Sequence, residues 1–291
     1  MPQQTPETMK AAVRAATARL AEAGVASPDV DAVVLAAHAG GTSVSDVRAA
    51  MILGGPAPEG LEALVGQRAQ RVPLQHLTGR APFRHLELEV GPGVFVPRPE
   101  TEDVAGFAID AARAARESSG REPVVVDLCT GSGAIALAIA DELPGAVVHA
   151  VELSPLAHAW AERNVAATGL PVTLEIGDAT TSFGDLEGLV DVVVSNPPYI
   201  PTDQVPVDPE VRDHDPEIAL YGGSVDGLAI PVAVAARAAE LLRPGGVLVM
   251  EHADVQGVSL PAALRRSGSW RDVEDRTDAT GRPRACVAVR V

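Results

Sequence analysis

Asn196-Pro197-Pro198-Tyr199 follows directly on an apolar run, Val190-Asp191-Val192-Val193-Val194-Ser195. These residue types suit a planar amide or amine. The Asn196 side-chain oxygen can accept one N–H of such a group. The Pro197 carbonyl can accept the other, because proline keeps its acceptor while losing its donor. Tyr199 offers a flat surface beside the group, and Pro197 and Pro198 together stiffen the turn. Stiffness matters for a nitrogen that must meet an alkyl donor in line. No dedicated general base stands out. The bland alternative is a turn after a strand, with Tyr199 packing only.

A second constellation lies upstream, Asp127-Leu128-Cys129-Thr130-Gly131-Ser132-Gly133. Glycines at 131 and 133 permit tight turning and close ligand approach, and the helical run Ala134–Ala140 follows. Glu152 ends the next apolar run, where an acid can accept both hydroxyls of a ribose. Asp178-Ala179 follows a third run, where a carboxylate could face an adenine amino group. Such a loop also serves NAD enzymes. Here the third glycine of that pattern is replaced by Ala136, and Asp127 is awkward beside a pyrophosphate. It would suit the ammonium of a methionine moiety. A sulfonium cofactor therefore accounts for Asp127, Glu152 and Asp178 better than NAD does. Asp178 could equally cap its own loop.

The elements that must position these residues are legible in outline. Residues 1–75 read as short helices, at Met9–Ala23, Asp29–Ala39 behind a Ser27-Pro28 cap, Ser43–Met51 and Glu59–Gln70. A small bundle would bury their faces, either as a structural cap or as a recognition module. Phe83, Leu86, Leu88 and Val90 suggest a strand, Gly91-Pro92-Gly93 a turn and Val94–Val96 a returning strand. Val96–Glu102 then leads into a helix through Ala115. Beyond it strands are expected at Val124–Leu128, Val147–Val151, Val172–Ile176, Val190–Ser195 and Val247–Glu251. Helices are expected to begin near Ala134, Pro155 and Ser224. Trp270–Asp275 and Arg284–Val291 can close the sheet as an antiparallel pair. The order points to a mostly parallel sheet covered by helices, with ligands past the C-terminal strand ends.

Composition narrows the function classes. The 291 residues carry a net charge of -16, with Lys10 the sole lysine. Residues 1–80 hold seven acids and seven Lys or Arg, so the excess falls on the remainder, which should repel a phosphate backbone. Cys129 and Cys286 are the two cysteines, neither in a C-x-x-C pair, so neither a metal site nor a disulfide framework is expected. No run approaches the roughly 18 apolar residues of a membrane span. Residues 1–10 lack a basic region followed by an apolar stretch, so no secretory leader is expected. Cytoplasmic residence follows as the expectation.

Taken in order and spacing, the motifs resemble those of the protein-(glutamine-N5) methyltransferases that act on peptide chain release factors. The resemblance runs through Pro73–Gly79 with Phe83, Val96-Pro97-Arg98-Pro99-Glu100-Thr101-Glu102, Asp127–Gly133, Ser195–Ile200, Glu217–Gly223 and Asp226-Gly227-Leu228. It implies a Rossmann-like class I methyltransferase domain with a mostly parallel seven-stranded sheet at 99–291. A five-helix-like recognition domain at 1–78 and a linking β-hairpin at 79–98 would precede it. It implies S-adenosyl-L-methionine as methyl donor. Asp127, Thr130, Gly131 and Gly133 would contact its methionine part and Glu152 its ribose, with Asp178 and Ala179 bordering adenine and Asn196 beside the donor. Asn196, Pro197, Pro198 and Tyr199 would grip the glutamine of a Gly-Gly-Gln release-factor tip. A monomer with release factors as partner, without nucleic acid or membrane, is expected. Arg98 would either pair with acids such as Glu102 or line the glutamine cleft. The rival readings are an N6-adenine or related nucleic-acid methyltransferase, which would use the same acceptor motif, and a noncatalytic binding module.

Overall fold

Alanine-rich helices with one large apolar residue per turn are marginal alone and must share a core. The computed structural model describes residues 8–291; residues 1–7, on which the expectation of no secretory leader partly rests, lie outside them. The chain divides into two compact units: the residues through Arg80 with Pro206–His214, and Ala81–Val205 with Asp215–Val291.

The first unit is built from α1 (Met9–Glu22), α2 (Pro28–Gly40), α3 (Val44–Leu53), α4 (Leu61–Ala69) and α5 (Leu74–Thr78). Leu20, Leu35, Val47 and Val65 lie in its core. Ser43 caps α3 in a reciprocal box with Asp46, whereas Ser27 makes no side-chain cap and Pro28 alone sets the start of α2. The short helix α5 was not legible as a separate element. The segment Pro206–His214 also belongs here, and its Glu210 is the reason. Its Oε1 accepts from Arg68 Nη1 and Arg71 Nε at 2.7 Å each, and Arg71 Nη2 donates to Oε2. Arg68 Nε reaches Asp31 Oδ2 at 2.7 Å. Burial would raise the Glu210 carboxyl, but hydrogen bonds from Arg71 and Arg68 outweigh it and hold the group far below the usual range.

The second unit begins with β1 (Arg80–Phe83) and β2 (Leu86–Glu89), a two-stranded sheet. The turn of this hairpin is Arg84-His85, with Arg84 at φ 52°. Arg84 is held there by Glu142 and by the Glu102 carbonyl, 2.9 Å away. The expected turn at Gly91-Pro92-Gly93 is therefore corrected, and Val94 and Val96 are buried with Phe95 half-buried between them, in no strand. Gly91 is needed for closeness instead, since a Cβ there would lie 2.5 Å from the Trp160 ring.

The remaining elements are α6 (Pro99–Ser119), β3 (Val124–Leu128), α7 (Ala134–Glu142), β4 (Val147–Glu152), α8 (Pro155–Thr168), β5 (Val172–Ile176), β6 (Val190–Ser195), α9 (Pro209–His214, in the first unit), α10 (Ala229–Leu241), β7 (Leu242–Glu251), α11 (Ser259–Ser267), β8 (Trp270–Thr277) and β9 (Pro283–Arg290). The seven-stranded sheet runs β5-β4-β3-β6-β7-β9-β8. Its first five strands are parallel, and β9 and β8 close it antiparallel. Val125, Val192 and Val194 pack on one face with α6 and α7. Val126, Val193 and Leu248 pack on the other with α10 and α11. That double covering explains the near-continuous apolar run of β6. Asp191 interrupts the run at no loss, because Arg121, Arg243 and the Val124 amide donate to it. The helix expected near Ser224 starts at Ala229; Ser224 Oγ instead accepts from the Leu228 and Ala229 amides. No helix among the described residues is long and apolar enough to cross a membrane.

Glu210→Ala leaves the buried Arg68 with Asp31 and the half-buried Arg71 with Asp208 as their remaining acids, and is expected to destabilise the helical unit by about 1–3 kcal/mol. The depressed pKa makes this contribution full above the unfolded carboxyl value of ~4.3, and it is lost as pH falls through the lower folded value. Denaturant titrations of wild type and Glu210→Gln at pH 7 and pH 3 should therefore show the gap narrowing in acid. A gap independent of pH would contradict the ion-pair account.

Candidate active site

Parallel strands deliver all their C-terminal ends to one edge of the sheet, and strand order reverses between β3 and β6. Open α/β sheets bind ligands at such a reversal. Asp127 pairs in register with Val194 on one side and Ala150 on the other. The donor loop after β3, Glu152 at the end of β4 and Asn196 after β6 are therefore brought to neighbouring strand ends. Ser195 Oγ donates to the Leu128 carbonyl at 2.6 Å, fastening the two loops together where they leave the sheet.

The loop after β3 is stiff. Cys129 sits at φ 67°, a sparsely populated region for a residue with a side chain. Gly131 at φ 60° has open space where a Cβ would stand. The Thr130 amide donates to the Val151 carbonyl, and Asn164 Nδ2 donates to Ser132 O at 2.9 Å. Glu152 holds the loop from the side. Its Oε2 accepts from the Gly131 amide and its Oε1 from the Ser154 amide, both at 2.8 Å. Each oxygen keeps a lone pair for a ligand hydroxyl.

Asp127 is fully buried. Its Oδ2 accepts from Thr130 Oγ1 at 2.6 Å and from the Ala136 amide at 3.2 Å. Its Oδ1 has no hydrogen-bond partner. Burial pushes this carboxyl up to about 7, against the pull of the Thr130 and Ala136 donors, and Glu152 adds to the rise. An orphaned buried acceptor beside an open glycine fits a ligand that brings an ammonium. Asp178 is exposed, and its Oδ1 takes both the amide and the hydroxyl of Thr180, at 2.8 and 2.7 Å. These bonds lower its pKa below the usual range; it caps its own loop, and only Oδ2 is left for an adenine edge. Ala179 is buried beside it.

The acceptor loop is clamped from several directions. Asn196 Nδ2 lies 3.4 Å from Thr101 Oγ1. The Tyr199 and Ile200 amides both donate to Leu220 O, at 3.1 and 2.8 Å. Gln256 Nε2 donates to Tyr199 O at 3.0 Å. The Tyr199 hydroxyl donates to Glu251 Oε1 at 3.3 Å, and burial pushes that phenol well above its ordinary range. Pro197 is buried and Pro198 half-buried. A Cβ on Gly227 would meet Tyr199 O at 2.1 Å, and one on Gly222 would meet Gly227 O at 1.9 Å. This is why the Tyr221–Leu228 stretch, adjacent to the loop, tolerates only glycine at those two places. Arg98 pairs with Asp215 and stacks on Phe95, its guanidinium carbon 4.9 Å from the ring centre, so Glu102 is not its partner. His214 lies in α9.

Four site residues were missed from sequence: Thr101, Asn164, Glu251 and Gln256. Glu251 alone carried a signal, an acid closing an apolar strand just as Glu152 does.

Comparison with known proteins agrees with this geometry. Residues 11–79 match the family described as PrmC N-terminal domain, and residues 112–208 the family described as Methyltransferase small domain. A release factor glutamine methyltransferase of Streptomyces coelicolor is 52% identical over 96% of this chain and 96% of its own. The chain belongs to the release factor glutamine methyltransferase family. A second member of that family, from Mycolicibacterium smegmatis, is 47% identical over 97% of this chain and 98% of its own. A 4-amino-L-phenylalanine/4-methylamino-L-phenylalanine methyltransferase of Streptomyces pristinaespiralis is 40% identical over 92% of this chain and 91% of its own. A crystal structure of a methyltransferase from Pyrococcus furiosus superposes with a TM-score of 0.50 at 20% identity, over 70% of this chain and 88% of that one, a likeness of fold.

The raised Asp127 pKa sets a sign for the ligand-free protein. Its folded value lies above the unfolded one, so the folded state holds the proton more tightly and stability falls as pH rises from ~4 to about 7. Asp127→Asn should remove part of that fall. Urea midpoints at pH 5 and pH 8 check it: the variant should gain on wild type at pH 8, and parity at both pH values would refute the buried-carboxyl account.

Proposed function

We propose that the chain transfers a methyl group from S-adenosyl-L-methionine to the side-chain amide nitrogen, N5, of the glutamine in the Gly-Gly-Gln tip of class 1 peptide chain release factors. The observation that carries this reading is the placement of Asn196-Pro197-Pro198-Tyr199 at the sheet's reversal point, beside the orphaned Asp127 acceptor. End-to-end likeness to release factor glutamine methyltransferases supports it. The donor supplies a methyl group on a sulfonium, which needs no metal.

In this reading Asp127 Oδ1 receives the donor's ammonium, and Thr130, Gly131 and Gly133 shape the backbone around its methionine part. Glu152 accepts from the ribose hydroxyls while still holding the Gly131 and Ser154 amides. Ala179 and Asp178 border the adenine. Asn196 Oδ1 and the Pro197 carbonyl each accept one N–H of the glutamine amide, with Tyr199 and Pro198 as walls. Polarising those N–H bonds would return electron density to nitrogen as its bond to the methyl carbon forms; the sulfonium sulfur would keep the breaking bond's electron pair as a neutral thioether, and one amide proton would pass to water. Most of the acceleration comes from orientation in a stiff loop. Residues 1–78 serve as the recognition domain and 79–98 as the link to the catalytic part at 99–291. The protein works as a cytoplasmic monomer with release factors as its partner.

The nucleic-acid reading is set aside, because the relatives matched end to end carry the release-factor description. The Streptomyces pristinaespiralis relative favours one competitor, a small aromatic amine.

The direct test supplies labelled S-adenosyl-L-methionine with an intact release factor, with its Gln→Ala tip variant, and with 4-amino-L-phenylalanine. Label on the first alone supports the proposal; label on the amino acid alone overturns it. Asn196→Ala should slow transfer about 100-fold or more while affinity for S-adenosylhomocysteine stays near that of wild type. Glu152→Ala should chiefly weaken that affinity, and titration calorimetry of both variants separates the two roles.

A further inference from the structure

Asparagine is a poor choice for the middle of a helix, because its amide competes for backbone hydrogen bonds. Asn164 nevertheless stands in the interior of α8, 1% exposed. Its amide spans two other segments. Oδ1 accepts from the Glu89 amide at 2.7 Å, and Nδ2 donates to the Glu89 carbonyl at 3.0 Å and to the Ser132 carbonyl at 2.9 Å. The oxygen and both hydrogens are thus engaged, and these backbone partners admit only one orientation of the amide. Glu89 ends β2 of the hairpin, and Ser132 lies between the two glycines of the donor loop.

Both sides of this contact are tightly built. In the donor loop Glu152 holds the Gly131 amide, and the Gly133 amide donates to the Thr130 carbonyl at 2.9 Å. Asn164 takes the Ser132 carbonyl between them. Ser132 is 2% exposed, so its carbonyl would lose this partner without gaining water. On the other side, Leu156, Trp160 and Asn164 are spaced four apart and share one face of α8. Gly93 and Gly91 leave room for the Leu156 side chain and the Trp160 ring, and Trp160 Nε1 donates to the Pro92 carbonyl at 3.3 Å. That face carries the segment 89–93. Of the three residues, only Asn164 is also hydrogen-bonded to the donor loop.

We propose that Asn164 is a positioning residue that couples the donor loop to the hairpin: one amide grips the Ser132 carbonyl and both backbone groups of Glu89, so that methyl-donor binding and the order of β2 rise and fall together. Asn164 acts through the loop backbone. The inference rests on the donor-site reading above. Coupling between two sites is reciprocal. A ligand that stills the glycine loop therefore stills the Glu89 backbone, and a change at Glu89 reaches the ligand.

Three substitutions in the full chain separate this coupling from mere packing. Asn164→Asp keeps the size of the side chain but sets an oxygen against two carbonyls; even protonated it has one hydrogen where two are needed. Glu89→Pro removes the amide that Asn164 receives and leaves every residue of the donor loop in place. Trp160→Phe weakens the same face of α8 and keeps all three Asn164 bonds. Calorimetry with S-adenosylhomocysteine reads donor affinity, and urea midpoints confirm folding. Asn164→Asp should weaken affinity about 10-fold, the worth of one hydrogen bond, raising the donor KM in proportion with kcat at saturation within about two-fold. Glu89→Pro should weaken affinity about 3-fold or more, and Trp160→Phe should stay within about two-fold. In wild type, saturating S-adenosylhomocysteine should slow hydrogen exchange of the Glu89 amide about 5-fold or more, and in Asn164→Asp it should not.

A folded Asn164→Asp protein with wild-type affinity overturns the coupling. So does a Glu89→Pro protein that binds as wild type does, or a Trp160→Phe protein that loses as much as Asn164→Asp. If Asn164→Asp does not fold, Glu89→Pro and the wild-type exchange still decide: a Glu89 amide indifferent to the ligand refutes the link. Wild-type binding, read alongside, keeps the two ideas apart. A wild type that fails to bind S-adenosylhomocysteine sinks the donor-site reading and the coupling built on it. A wild type that binds, with unaltered variants, sinks the coupling alone.

Discussion

Neighbouring parallel strands end on one edge of this sheet, and several of them end at a carboxylate. Asp127, Glu152 and Glu251 stand at or beside the ends of β3, β4 and β7. Asp127 feels the charge of Glu152 and Glu251 that of Glu100, and burial resists ionisation of both Asp127 and Glu251. The fold meets this cost with donors drawn from the following loops and helices. Gly131 and Ser154 amides attend Glu152, while Thr130 and the Ala136 amide attend Asp127. The acids in turn hold those loops still. Loop geometry, donor-site chemistry and the acidity of the cleft are thus one arrangement. Removing Asp127 or Glu152 would loosen backbone as well as delete charge.

The acceptor side is held by a different principle, close approach of backbone to backbone. Gly222 and Gly227 let the chain pass within contact distance of the Tyr199 carbonyl, and Gln256 then bridges Tyr199 O and Asp226 O. No charge is needed for that clamp. Its rigidity comes from spacing that no side chain can enter. A loop fixed at both its carbonyl and its hydroxyl ends has few alternative states, so little ordering entropy remains to be lost when a substrate arrives.

The sequence was most readable where one periodicity dominated. The apolar runs of β3, β4, β5 and β6 stand out, as does the all-buried face of α7, and the strand order follows from βαβ alternation. The donor and acceptor loops were legible because glycine and proline have few reasons to stand in such places. Legibility failed where a residue's role depends on a distant partner. Gly91-Pro92-Gly93 resembles a turn, yet its glycine is there to admit Trp160, and the real turn uses Arg84 because Glu142 restrains it. Ser224 resembles a helix start and caps the turn before one. Thr101 and Asn164 carry no local mark, since a threonine in a helix's first turn and an asparagine within a helix are commonplace. Glu251 was visible by the same rule that found Glu152.

The excursion of Pro206–His214 has a consequence for the ancestry and engineering of this chain. The polypeptide enters the helical unit at its start and enters it again midway through the catalytic sequence. Three covalent crossings, near 80, 205 and 214, join the two units. A module attached by one linker can be traded between proteins by recombination at a single point. This one cannot, because Arg68 and Arg71 have their carboxylate partner encoded some 140 residues later. The helical unit and the loop that follows the acceptor motif must therefore be inherited together. A chimera that exchanges only residues before 80 would carry guanidiniums matched to a loop it does not contain.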